Sequence, residues 1–73
     1  MAGVAANEAA GIVMKEFQAS VEKLREDAAE AALIRDLSTD KVKRAVFDRL
    51  HEHLNRLADE VQEAMKLREG RPQ

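Results

Sequence analysis

From Ile12 to Glu69 the chain contains neither glycine nor proline. No other feature limits the fold as strongly, because these two residues are the main punctuation of helices and turns. Alanine, leucine, glutamate, lysine and arginine fill the stretch. Phe17 and Phe47 are its only aromatic residues, and β-branched runs are scarce. That mixture favours helix and leaves a sheet without its usual residues.

The apolar positions carry a helical period. Met14, Phe17, Val21, Leu24, Ala28 and Ala31 fall at spacings 3, 4, 3, 4, 3, the a and d pattern of a heptad repeat. Phe47, Leu50, Leu54, Leu57, Val61 and Ala64 repeat the same spacings. Extending the first register forward puts a positions at Arg35, Val42 and Arg49, two places away from Phe47. The two stripes are out of phase, so one continuous coiled coil is disfavoured.

Between the stripes lies DLSTDKVKR, in which Ser38, Thr39 and Asp40 are residue types that accept hydrogen bonds from the free amides of a helix start. The negative charge of Asp40 also suits a first turn. A reversal is therefore expected within about residues 37–39. No C-capping glycine stands there, and a kinked or domain-swapped connection is the alternative. Folding the chain back about Thr39 sets Ala31 against Phe47, Ala28 against Leu50 and Leu24 against Leu54. Val21 then meets Leu57, Phe17 meets Val61 and Met14 meets Ala64. Each pair joins an a with a d position, and large residues meet smaller ones, which fills space well.

The expected fold is thus all-α: a single-domain antiparallel two-helix hairpin of coiled-coil type spanning residues 1–73. Helix 1 should cover about 7–36 and helix 2 about 40–68, with flexible termini. A chain of 73 residues is near the size at which one hydrophobic core is barely sufficient. Cysteine is absent, so neither a disulfide nor a thiolate metal site can staple it. Ile12, Val13, Leu33 and Ile34 lie outside the heptad stripes, and Ile12 and Leu33 stand opposite the first of them. A second apolar surface on a small protein marks an interface. These four residues are expected to carry a protein contact, with the hairpin dimerising into a four-helix bundle or docking on a helical partner.

Twelve Lys and Arg against fourteen Asp and Glu leave a net charge of −2. That balance argues against broad binding to nucleic acid or anionic membranes. The first residues, MAGVAANEAAGIVMKEF, resemble neither a secretory signal nor an Arg-rich transit peptide. No apolar run is long enough to span a bilayer. A cytoplasmic protein is expected.

Motifs that carry chemistry are few. HEHLN, residues 51–55, falls one histidine short of the H-E-x-x-H of zinc proteases. Its own histidines, His51 and His53, are two apart and point roughly 200° away from each other on a helix, so they cannot share an ion. In the second stripe they flank Leu50 and Leu54, and His53 could reach Asp27 and make stability depend on pH. Glu22, Glu26, Asp27 and Glu30 suggest a di-iron bundle, but the Glu-x-x-His that such sites use is absent. Interleaved with Lys23 and Arg25, these acids read as a solvated face. Ser20, Ser38 and Thr39 are the only hydroxyl side chains, and no Gly-rich phosphate loop exists. Catalysis, a cofactor and a metal are accordingly not expected.

Arg35, Lys41, Lys43, Arg44 and Arg49 gather near the turn, and Lys66, Arg68 and Arg71 near the C-terminus. Asp36, Asp40 and Asp48 dilute the first cluster, which makes it a poor phosphate-binding surface. In outline the chain is similar to the Rop type of dimeric helical hairpin, which implies paired RNA as an alternative ligand for the basic residues near the turn. The similarity is one of shape, and fold does not imply function. The primary expectation is a small protein–protein interaction module, an adaptor, accessory subunit or inhibitor, acting through helix packing.

Overall fold

The computed structural model describes residues 2–69, with side chains described for 11–68. Two helices, α1 (Ala2–Leu37) and α2 (Lys41–Glu69), lie side by side as an antiparallel hairpin. Helix α1 begins five residues before the expected position 7. Its first ten residues include five alanines, the best helix former, and these carry the helix through Gly3 and Gly11. The expectation of flexible termini falls on residues 1 and 70–73, outside the described residues.

The reversal occupies Ser38, Thr39 and Asp40, one residue later than expected, because Asp40 itself is the N-cap of α2. Its Oδ1 accepts hydrogen bonds from the amides of Val42 (2.8 Å) and Lys43 (3.3 Å), and its carbonyl accepts the first helical bond, from the Arg44 amide at 2.9 Å. At the other end, the Ser38 amide donates to the Arg35 carbonyl at 3.3 Å, a 3₁₀-type closure of α1. The Ser38 hydroxyl accepts from the Asp40 amide at 3.3 Å. Among the described residues none has a positive φ, so this turn has no use for a C-capping glycine. That removes the objection to a simple reversal, and the two helices fold back on each other and do not continue through a kink.

Along α1 the seam follows the expected stripe, with Ala28 and Ala31 buried and Arg35 continuing it into the turn. Helix α2 differs. Ala58, outside the expected stripe, is fully buried at 0 % exposure, whereas Leu50, inside it, is 39 % exposed. The residues turned towards α1 are Phe47, His51, Leu54, Ala58, Val61 and Met65, again at heptad spacing. Relative to the expected stripe α2 is rotated by about half a residue step, roughly 50°. Ala28 accordingly meets His51. Two causes are visible: small Ala28, Ala31 and Ala58 let the backbones approach, and polar groups on one side of the seam pull α2 round to reach them.

Candidate functional site

Arg25 and Asp27 stand two residues apart on α1 and so project about 200° from each other. They mark the two long sides of the hairpin: a hydrogen-bond network runs along the first, beside an open groove lined by Val21 and Met65, and the second carries a longer apolar groove.

On the Arg25 side the guanidinium bridges the helices. Its Nη1 donates to the Asn55 carbonyl (3.4 Å) and to Asn55 Oδ1 (3.1 Å), and its Nη2 donates to Asp59 Oδ1 and Gln62 Oε1, both at 2.8 Å. Next along the seam, His51 Nδ1 lies 2.9 Å from the Ala28 carbonyl. A carbonyl oxygen can only accept, so Nδ1 carries the proton and donates. The other ring nitrogen, Nε2, then accepts from the Asn55 amide at 3.4 Å. Every member of this chain, from Asp59 through Arg25, Asn55 and His51 to Ala28, finds a partner inside the same molecule. Among the described residues no buried side-chain nitrogen or oxygen lacks a hydrogen bond.

Sequence reasoning assigned Arg25 to a solvated face and missed this network. The signal was present on the other helix: Asn55, Asp59 and Gln62, at spacings 4 and 3, form one stripe of acceptors. Near the turn Arg35 closes the end of the seam. It donates to Asp36 from Nε at 3.0 Å and to Asp48 from Nη1 at 2.7 Å. The hydrogen bonds to Asp36 and then Asp48 raise the Arg35 pKa above its ordinary value, which holds the charge on at every accessible pH.

The Asp27 side is apolar. Ala31, Ile34, Phe47, Leu50 and Leu54 line an open groove between the helices, and Leu24 and Val61 line its continuation towards the open end. Asp27 and Glu30 form the rim on α1 beside Ile34, and Lys23 follows one turn further on. Arg49, His53 and Arg56 form the rim on α2 around Leu50 and Val46. No ion pair among the described residues crosses this side; the three that form involve only Arg25 and Arg35. His53 is exposed and makes no bond to Asp27, so the pH-sensitive pair suggested by the sequence does not form.

The four residues expected to carry a contact are divided between two surfaces. Ile34 lies in the groove, and half-buried Val13 falls on the same stripe three heptads earlier. Ile12 (57 % exposed) and Leu33 (58 %) sit on the back of α1, separated by three heptads and unconnected by other large apolar residues. Of the basic residues near the turn, Arg35 is engaged with carboxylates, while Lys41, Lys43, Arg44 and Arg49 are exposed. No group of three or more metal-ligand side chains assembles among the described residues.

Family models, curated proteins and solved structures give no match to this chain. The geometry of the two sides is what bears on function. Among the described residues no helix is long and apolar enough to cross a membrane.

Proposed function

We propose that the chain is a protein–protein interaction module that acts through helix packing, as an adaptor, accessory subunit or inhibitor without catalysis of its own. One observation carries this reading. Among the described residues the buried core consists of Ala28, Ala31 and Ala58, while Phe17, Leu24, Ile34, Phe47, Leu54 and Leu57 are only half-buried and Leu50 is exposed. Large side chains left at the surface along one side of a hairpin are what an interface looks like before its partner arrives. Ile34 and Val13 belong to that side. Ile12 and Leu33 do not, and the contact is better assigned to the groove.

The test is capture from native lysate on the immobilised full chain, compared with Leu50→Asp, at low and high salt. An apolar contact predicts capture that survives high salt and is lost in Leu50→Asp. Capture of duplex RNA that falls steeply with salt and ignores Leu50→Asp would favour instead the nucleic-acid reading through Lys41, Lys43, Arg44 and Arg49.

A further inference from the structure

Two stripes of α2 share one heptad period and have Phe47, Leu54 and Val61 in common. The stripe that faces α1 adds His51, Ala58 and Met65 to these, and its neighbour adds Leu50, Leu57 and Ala64. On apolar content alone the neighbour is the better seam, since it sets Leu50 over small Ala28 and Leu57 over Val21 and places no imidazole between the helices. Yet Ala58 is fully buried and Leu50 is 39 % exposed. Ala28 and Ala31 stay in the seam in either rotation of α2, and of the small residues only Ala58 changes place. Something besides apolar packing holds α2 in its present rotation.

The Arg25 network supplies that constraint. Asn55 Oδ1, Asp59 Oδ1 and Gln62 Oε1 stand on one stripe beside the seam, and a single guanidinium reaches them at 3.1, 2.8 and 2.8 Å. Turning α2 back by roughly 50° would carry the ends of these side chains about 4 Å around the helix and away from α1, further than a hydrogen bond stretches. The bonds of Arg25 would be lost, and the bond from His51 to the Ala28 carbonyl with them. What opposes this loss is the burial of Leu50 and Leu57. The Arg25 and Asp59 side chains are 39 % and 68 % exposed, so their bonds are individually weak, and a leucine already more than half covered has little area left to bury. With both sides of the balance small, one residue is enough to decide it.

We propose that Arg25 is a positioning residue: it holds α2 in the rotation that presents Leu50 and Leu57 to the groove, and without it α2 turns back and draws both leucines into the seam. The polar side thereby controls what the apolar side exposes. The rotation concerns this chain alone, and its bearing on a partner rests on the reading of the chain as an interaction module.

Thiol labelling reads the rotation directly, because the chain has no cysteine of its own. Leu50→Cys and Ala58→Cys each place one probe, the first exposed and the second buried in the present rotation. Adding Arg25→Glu, which sets a carboxylate against Asp59, should slow labelling at position 50 several-fold and speed it several-fold at position 58. Opposite changes are the signature of a rotation, whereas unfolding speeds both. Adding Asp59→Arg to Arg25→Glu sets opposite charges across the seam again and should return both rates to those of the parent. Because Arg25→Glu also risks unfolding the chain, Arg25→Met removes the donors without adding repulsion and should move both rates in the same two directions by less. Faster labelling at both positions in Arg25→Met would make Arg25 a stabilising contact only, and unchanged rates would mean that the rotation is fixed elsewhere; either result overturns the proposal. Labelling needs no partner, so the interaction-module reading falls separately, if Leu50→Asp leaves capture from lysate unchanged.

Discussion

The two sides of the hairpin seam are made from the same pair of helices and face the same solvent, yet the side-chain hydrogen-bond network of Arg25 and His51 runs along only one of them. On the Arg25 side, each donor meets an acceptor within the chain, from the guanidinium fork on Asn55, Asp59 and Gln62 to His51 on the Ala28 carbonyl. On the Asp27 side, phenylalanine, leucine and isoleucine stand half out of the groove, and the charged rims have no partner across it. Polar groups are directional and can be satisfied one at a time by a single neighbour. Apolar groups need a covering surface, which two helices cannot supply. The polar side therefore sets how the helices meet, and the apolar side leaves large side chains half-exposed.

Substitutions can break this contrast in a definite order. The largest effect is expected from Leu54→Asp, since Leu54 faces both the seam and the groove. A carboxylate there should cost at least about 3 kcal/mol and abolish helical circular dichroism at room temperature. If Leu54→Asp retains a cooperative melt, the apolar side contributes little and the contrast fails. Arg25→Ala comes next. The pair with Asp59 is partly exposed and contributes modestly by itself, but four acceptors lose one donor together, so about 1 kcal/mol is expected. A thermal melt should fall by a few degrees, and a double-mutant cycle with Asn55→Ala should show strong coupling; additive losses would dissolve the network into separate surface contacts.

Asp40→Ala, at the turn and outside both sides, should also cost about 1 kcal/mol by removing the cap, with Asp40→Asn retaining most of the stability. An equal loss in Asp40→Asn would mean that charge matters there more than the hydrogen bonds. The smallest effect is a gain. A Cβ added at Gly11 meets nothing within 4 Å, so Gly11→Ala should stabilise α1 by about 0.5–1 kcal/mol. No rise in melting temperature would indicate that this part of α1 is already unfolded in the reference state of the melt.

Much of the hairpin is legible in the residues. The unbroken helix-forming stretch, the two heptad stripes out of phase and the Ser38–Thr39–Asp40 cap require two helices and a reversal, because propensity, period and capping are local properties. The apolar residues of the groove are legible too, although they read first as seam: Leu50 and Leu57 have the spacing of a core and sit beside it. What the tertiary structure decided is the rotation of α2. Spacing alone allows either the stripe through Leu50 and Leu57 or the one through His51 and Ala58 to face α1, since both have the same period. The choice depends on close approach at Ala28, Ala31 and Ala58 and on Arg25 and His51 reaching partners across the seam. Those contacts join residues 23 to 37 positions apart, and no local pattern encodes them. The sequence by itself determines that two amphipathic helices fold back on one another. The contacts between them determine which leucines are left at the surface.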